Sequence, residues 1–222
     1  METDLTYVKN LMALATGDEK HDTSAHSTLD VLWVLYDRIL HYDPAHPYSE
    51  KRDRFVLSKG HGPLAFYAIL AAKGFFPSSA LKNFETWEGF LGGHPDRNQV
   101  PGVEASTGSL GHGLPMAIGI ALALRARKSD RRVFVLIGDG ECNEGSIWES
   151  ILLAGNLALS NLTCIVINNH SSTLSLGNLA EKFTTFAWSA TTINGRSHTQ
   201  IEQALSQRDP QHPTAVIAEI AR

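Results

Sequence analysis

Short, strongly apolar runs alternate with segments of helical periodicity through the second half of the chain. The clearest run, residues 132–137 (RVFVLI), is hydrophobic without a break, which is typical of a strand buried on both faces of a parallel sheet. Parallel strands need a crossover connection between them, usually a helix. The alternation therefore predicts the α/β class: a doubly wound, mainly parallel sheet with helices on both faces.

The same patterns place the individual elements. Pro63 suits the first turn of a helix, and residues 91–113 are rich in Gly, Pro, His, Ser and Asn, which predicts a loop that carries a site. The predicted helices cover residues 5–15, 27–40, 63–73, 114–127, 146–159, 178–186 and 199–206, and the predicted strands cover residues 54–58, 132–137, 162–168, 188–193 and 214–221.

The composition fits a single globular domain over residues 1–222. With 43% hydrophobic and 19% charged residues, the chain can bury a core and is unlike a disordered segment. The net charge is −4 and no dense basic run is present, so neither nucleic acid nor a membrane surface is expected as a partner. No apolar stretch reaches the ~18 residues of a membrane span, so we expect a soluble, cytoplasmic protein. We expect both cysteines, Cys142 and Cys164, to be reduced thiols.

Polar residues follow the predicted strands at the edge where doubly wound sheets bind ligands. Asp139 lies between Gly138 and Gly140, and Asn169 ends the next strand 30 residues later. A carboxylate, an amide oxygen and a backbone carbonyl are hard ligands suited to Mg²⁺ or Ca²⁺, and Gly140 lets the backbone approach a phosphate. Each motif alone is equally well explained as a tight turn or a helix cap. The pair on neighbouring strand ends is far more specific.

Several further stretches complete a recognisable pattern. They are residues 52–62 (RDRFVLSKGHG), 93–96 (GHPD), 107–113 (TGSLGHG) and 138–145 (GDGECNEG), the last followed by Trp148-Glu149. Together, and in this order, they resemble the N-terminal, diphosphate-binding domain of transketolases, which bind thiamine diphosphate. The metal motif alone is shared with other thiamine-dependent enzymes, but residues 57–62 and the Glu-Gly pair favour transketolase.

The resemblance implies a ligand set. Asp139, Asn169 and the main-chain oxygen of Ser171 would hold Mg²⁺, for which Ca²⁺ or Mn²⁺ could substitute. Residues matching those at the family's cofactor site are His61, Gly108, Ser109, Leu110, Gly138, Asp139, Gly140, Glu141 and Asn169.

The resemblance also implies five catalytic residues. His26, His61 and His94 match histidines of the family's substrate channel, where imidazoles hydrogen-bond ketose hydroxyls and carry protons near neutral pH. A single histidine is more often an ordinary surface or core residue, and His61 lies in the longest motif. Glu144 and Glu149 flank a helix start, where the dipole alone favours acids. In the family, the matching glutamates join a carboxylate network to a partner glutamate that protonates the cofactor's aminopyrimidine.

Complete transketolases are much longer, because they add a pyrimidine-binding domain and a third domain. The chain would therefore be one part of a split enzyme, a degenerate homologue or a fragment, and the intact diphosphate half favours the split enzyme. We expect a C-terminal transketolase-like partner subunit, in an assembly of two copies of each chain. The family's further substrate-channel histidine lies beyond the segment that ends at residues 218–222.

Four local departures from the family concern substrate choice. The family's Ser-Gly-His-Pro-Gly is SAHST at residues 24–28, its Asp-Gly-His-Asp is NGRS at residues 194–197, and the loop at residues 170–179 lacks the usual Ile-Asp-Gly. His112 replaces a usual glutamine, either as an added acid–base group or as a residue that keeps one hydrogen bond; the second interpretation is favoured.

The resemblance implies transfer of a two-carbon ketol unit from a ketose-type donor to an aldehyde acceptor, in a specialised biosynthetic or catabolic pathway. Two alternatives stay open. One is decarboxylating acyl transfer from a 2-oxo acid, and the other is a non-catalytic binding or scaffolding homologue.

Overall fold

The computed structural model describes residues 4–15 and 22–220, and for residues 22–24 the backbone alone. The five predicted apolar runs form strands. They are β1 Arg54–Leu57, β2 Val133–Gly138, β3 Leu162–Asn168, β4 Ser189–Asn194 and β5 Thr214–Glu219.

The five strands form one sheet in the order β1-β2-β3-β5-β4, and every neighbouring pair is parallel. The predicted α/β class with a doubly wound parallel sheet is confirmed. In register, Val135 of β2 lies between Val56 of β1 and Cys164 of β3.

Seven α-helices among the described residues connect and cover these strands. They are α1 Leu5–Met12, α2 Asp22–Val34, α3 Leu64–Ala72, α4 Gly113–Ala126, α5 Gly145–Asn156, α6 Leu179–Thr185 and α7 His198–Ser206. Polar caps begin several of them: the side chains of Asp4, Asn178 and Ser197 accept hydrogen bonds from backbone N–H groups in the first turns of α1, α6 and α7.

Alternate residues of each strand point to opposite faces of the sheet and belong to two separate apolar layers, as the two-residue period of a strand requires. Phe134 and Leu136 of β2 belong to the layer packed against α1, α2, α3 and α7. Val135 and Ile137 belong to the layer packed against α4, α5 and α6. Because both faces are covered, the interior strand β2, which lies between β1 and β3, is buried along its whole length.

Element boundaries differ from the predicted ones at a few positions. The predicted helix 27–40 starts earlier, at Asp22, and its last turn is a π-helix, Leu35–Ile39. Two short 3₁₀-helices, Ser78–Asn83 and Gly140–Asn143, were not predicted. The last strand ends at Glu219, and residue 221 of its predicted range lies outside the described residues.

The predicted loop at residues 91–113 is confirmed as irregular up to the start of α4. No helix within the described ranges is long and apolar enough to cross a membrane.

Candidate functional site

The carboxylate of Asp139 lies one residue beyond β2 and is 1% exposed. Its Oδ2 accepts hydrogen bonds from the backbone N–H groups of Ser171 at 2.7 Å and Ser172 at 3.0 Å, and its Oδ1 accepts one from the Ser171 hydroxyl at 2.6 Å. These bonds fold the loop after β3 back onto the end of β2. The predicted metal ligands Asp139 and Ser171 are therefore in direct contact.

Asn169 directly follows β3, and its amide oxygen Oδ1 is buried without a hydrogen-bond partner. A buried acceptor left unpaired is destabilising unless a ligand satisfies it. Gly140 lies against the same loop: a Cβ placed on it would be 3.8 Å from the carbonyl oxygen of Ser171. The oxygens available here are a carboxylate, an amide and a carbonyl, so the residues present fit a hard cation such as Mg²⁺.

A polar cleft of about 400 Å³ opens beside this group. The cleft is lined by the loop after β3 and by the ends of β3 and β5. His170 in that loop has a positive φ of 57°, and its ring lies 3.5 Å from the carboxylate of Glu219. No cluster of three or more His, Cys, Asp or Glu able to hold a metal occurs among the residues described, so a site here depends on Asn169 and on backbone oxygen.

Glu141 points into the protein and is 2% exposed. Its Oε1 accepts hydrogen bonds from the Ser58 hydroxyl at 2.5 Å and from the Gly111 N–H at 2.9 Å, and its Oε2 lies 3.4 Å from the Gly138 N–H. Ser58 in turn accepts a bond from the N–H of Gly113 at 3.0 Å. One carboxylate thus ties three of the sequence motifs together, and burial raises its pKa.

Lys59 is a buried cation near the carboxyl end of β1 that the sequence motifs did not predict as a site residue. Its aliphatic chain packs on Gly138, where a Cβ would lie 3.2–3.4 Å from the lysine carbons. Burial lowers the pKa of Lys59 to about 8, against the opposing effect of the Asp139 and Glu141 carboxylates. The signal that could have found it is a lysine directly after a buried strand, beside a predicted phosphate site.

His61 and His94 are brought together from different loops, with ring centroids 5.0 Å apart in an edge-to-face arrangement. Gly108 lies against the His94 ring, because a Cβ on Gly108 would be 2.6 Å from a ring carbon. The Tyr67 hydroxyl lies 2.9 Å from the main-chain oxygen of His94 and so connects this loop to α3. Two predicted channel histidines and the predicted cofactor loop therefore share one surface.

The remainder of that loop is fixed to β1. The Thr107 hydroxyl donates to the main-chain oxygen of Leu57 at 2.6 Å, and Gly60 is in close contact with the backbone of Gly108. Ser109 is exposed and Leu110 is half-buried at the tip.

His26 lies in the second turn of α2 and is exposed. The next residue, Ser27, has its hydroxyl 3.4 Å from the Lys59 ammonium, which places this part of α2 beside the strand edge.

The two predicted glutamates, Glu144 and Glu149, are both exposed. Glu144 precedes the first residue of α5 and its side chain makes no capping bond there. His112 holds the corresponding place before α4, is exposed, and its Nδ1 lies 2.9 Å from the main-chain oxygen of Leu110. That contact is within the loop itself.

Comparison with known proteins identifies the family to which this chain belongs. The model of the transketolase thiamine diphosphate-binding domain matches residues 7–220. An apulose-4-phosphate transketolase subunit from Actinobacillus succinogenes is 42% identical over 149 residues, which covers 67% of this chain and 53% of that protein. A transketolase structure from Leishmania mexicana superposes with a TM-score of 0.82 at 26% identity, covering 99% of this chain and 37% of that one.

Another relative carries a different name. A protein of Rhodococcoides fascians named "Ferredoxin fas2" is 47% identical over 216 residues, covering 96% of this chain and 70% of that protein. An iron–sulfur cluster of the ferredoxin type needs four thiolates, whereas this chain has two cysteines. Both are buried and unpaired, and burial raises the pKa of Cys142 to about 12. The family match over almost the whole length decides the assignment: the chain belongs to the transketolase family, through its thiamine diphosphate-binding domain.

Proposed function

We propose that this chain is the diphosphate-binding subunit of a two-chain, transketolase-type transferase, which binds thiamine diphosphate and Mg²⁺ and moves a two-carbon ketol unit from a ketose-type donor to an aldehyde acceptor. The proposal is supported by the hydrogen bonds from the Ser171 loop to Asp139 after β2, together with the buried, unpaired amide oxygen of Asn169 directly after the neighbouring strand β3. The chain spans about half the length of the apulose-4-phosphate transketolase subunit that it matches. A relative described as a subunit supports a two-chain enzyme.

Each residue at this edge has a distinct task in the proposal. Asp139, Asn169 and the main-chain oxygen of Ser171 would hold the metal, and Gly140 leaves room for a diphosphate beside it. Lys59 would add a positive charge beside Gly138, because an ammonium at this place attracts the oxygens of a diphosphate. Hydrogen bonds from the backbone N–H groups of Ser171 and Ser172 fix the orientation of the Asp139 carboxylate.

The loop from Gly108 to Leu110 would present its backbone to the aminopyrimidine ring. When bound, the cofactor supplies the electron sink that holds the two-carbon unit between donor and acceptor. His61 and His94 would bind the sugar hydroxyls and exchange protons with them, because their rings meet beside this loop. Glu141 keeps the loop and the Gly-Asp-Gly turn in one arrangement.

A partner chain is part of the proposal because the aminopyrimidine needs a carboxylic acid opposite it. The glutamates Glu144 and Glu149 face outward on and beside α5. On the same helix, Leu152 and Leu153 are each 48% exposed, and Met116 of the neighbouring helix α4 is 36% exposed. An acidic and apolar face of this kind suits a protein interface.

The test is activity on mixing. The chain is combined with a transketolase-like pyrimidine-binding chain from the same organism, thiamine diphosphate and Mg²⁺. A ketose and, in a parallel reaction, pyruvate are supplied as donors, with phosphorylated or unphosphorylated aldehydes as acceptors. We expect ketol transfer from the mixture and none from either chain alone. Equal turnover by the isolated chain would contradict the two-chain proposal. Release of CO₂ from pyruvate with acyl transfer, and no ketol transfer, would establish the 2-oxo acid alternative instead.

A further inference from the structure

The sequence departs from the family at residues 194–197, and the structure shows what the new arginine contacts. Nη1 of Arg196, in the turn after β4, donates to the main-chain oxygen of His26 at 2.8 Å and to Oδ2 of Asp30 at 2.7 Å. His26 and Asp30 lie four residues apart, so the guanidinium bridges one full turn of α2. This bridge contacts the backbone of a residue that the proposed function places in the substrate channel.

A second group completes the attachment from α7. Nε2 of His198, the first residue of α7, lies 2.9 Å from Oδ1 of Asp30. The Asp30 side chain is only 14% exposed, and both of its oxygens are engaged. A carboxylate in this setting has little freedom to reorient, so α2 is held to two segments at the β4 edge of the sheet.

We propose that Arg196, acting with Asp30 and His198, is a positioning residue that fixes the start of α2 and thereby the place of His26 in donor binding. The inference rests on the proposed function, since His26 has a catalytic task only in that reaction. The link to the site is short: Ser27, the neighbour of His26, contacts Lys59, which packs on Gly138. A shift of this turn would move His26 relative to the cofactor edge.

The chain provides a matched control. Arg38 and Glu202 form another ion pair across the same boundary between the α2 region and α7, at 2.6 Å, on the surface and 12 residues beyond His26 along the chain. Glu202→Gln removes that pair without touching Arg196. Arg196→Met keeps much of the aliphatic stem but removes both bonds, and Arg196→Lys keeps the charge without the forked donor.

Hydrogen exchange of the chain alone tests the attachment, independently of any partner. In Arg196→Met we expect the amides of residues 26–30 to exchange at least about tenfold faster, because a charge-assisted bridge is lost. Arg196→Lys should lie between the two, and Glu202→Gln should leave these amides unchanged. Unchanged exchange in Arg196→Met, or an equal increase in Glu202→Gln, would overturn the proposal.

A double-mutant cycle in the reconstituted two-chain enzyme tests the effect on the donor. In the wild-type background, Arg196→Met should raise KM for the ketose donor about tenfold, with KM for the aldehyde and the affinity for thiamine diphosphate within about twofold. In a His26→Ala background the same substitution should have no further effect on donor KM. Effects that multiply independently would contradict positioning through His26.

Failure of the proposed function and failure of the positioning role of Arg196 would give different results. If His26→Ala alone leaves the donor KM unchanged, the assignment of His26 in the proposed function is wrong. If His26→Ala raises it and the Arg196 effect persists in that background, the channel assignment stands and the positioning role of Arg196 is wrong.

Discussion

Besides Asp139, two ionisable side chains of opposite charge, Lys59 and Glu141, are buried near the carboxyl ends of β1 and β2. Burial disfavours the charged form of each, and it lowers the pKa of Lys59 while raising that of Glu141. Lys59 lies against Gly138, and Glu141 contacts both Gly111 and Gly138, all in motifs matched to the proposed cofactor site. Both side chains therefore carry a desolvation cost at the place where the proposed cofactor would bind.

The lowered pKa of Lys59 predicts how stability depends on pH. Between about pH 8 and the ordinary value of 10.5, the unfolded chain carries a proton on Lys59 that the folded chain has released. Stability rises with pH wherever the unfolded state binds more protons. The free energy of unfolding of the wild type should therefore rise across this window relative to Lys59→Met, measured by urea unfolding. A difference that is flat with pH would contradict the lowered pKa.

The hydrogen bonds of Glu141 predict a loss of stability on truncation. Glu141→Ala leaves the buried Ser58 hydroxyl and the Gly111 N–H without their acceptor, which should lower the free energy of unfolding by about 2 kcal/mol. Glu88 is an exposed glutamate in the segment before the site loop, and Glu88→Ala should change stability by less than about 0.5 kcal/mol. Equal effects of the two substitutions would show that the Glu141 bonds carry no net stabilisation.

The start of α4 packs closely against the residue that follows β1. A Cβ on Gly113 would lie 2.3 Å from the side chain of Ser58, whereas Gly119, in the exposed middle of the same helix, has nothing within 4 Å of its Cβ position. The same substitution should therefore have opposite effects at two places in one helix.

Gly113→Ala should destabilise the chain by about 2 kcal/mol or more, because the helix start or Ser58 must move. Gly119→Ala should stabilise it by about 0.5–1 kcal/mol through the higher helix propensity of alanine. Thermal or denaturant unfolding of the two variants measures both. Destabilisation by Gly119→Ala would show that this face of α4 has no room for a methyl group, contrary to the structure.

Much of this arrangement could be predicted from the sequence, because the apolar runs of the strands and the polar residues after them report the sheet and its edge directly. All five strands fall within a residue or two of their predicted places. The contacts made by Glu141 and Lys59 could not be predicted from the sequence. Both are polar residues, and their burial depends on neighbours distant in sequence, such as Gly111 and Ser27. The bridge from Arg196 to α2 has the same cause, because it joins residues 166 and 170 apart.

The exposed apolar side chains of α4 and α5 form the face on which we expect the partner chain to bind. Leu152→Glu combined with Leu153→Glu places two charges on an exposed surface, so the midpoint of thermal unfolding of the isolated chain should change little. Burial of the same charges in an interface would be strongly unfavourable. Sedimentation of the mixed chains should show loss of the complex for this variant. A complex of unchanged stability would place the partner on another face.

The proposed function requires that Asp139 and Asn169 hold a divalent cation that anchors thiamine diphosphate. Calorimetric titration of the two-chain complex with thiamine diphosphate, with and without Mg²⁺, tests it most directly. We expect tight binding that requires Mg²⁺ in the wild type and its abolition in Asp139→Ala, with Glu88→Ala behaving as the wild type. Unchanged, Mg²⁺-dependent affinity in Asp139→Ala would contradict it.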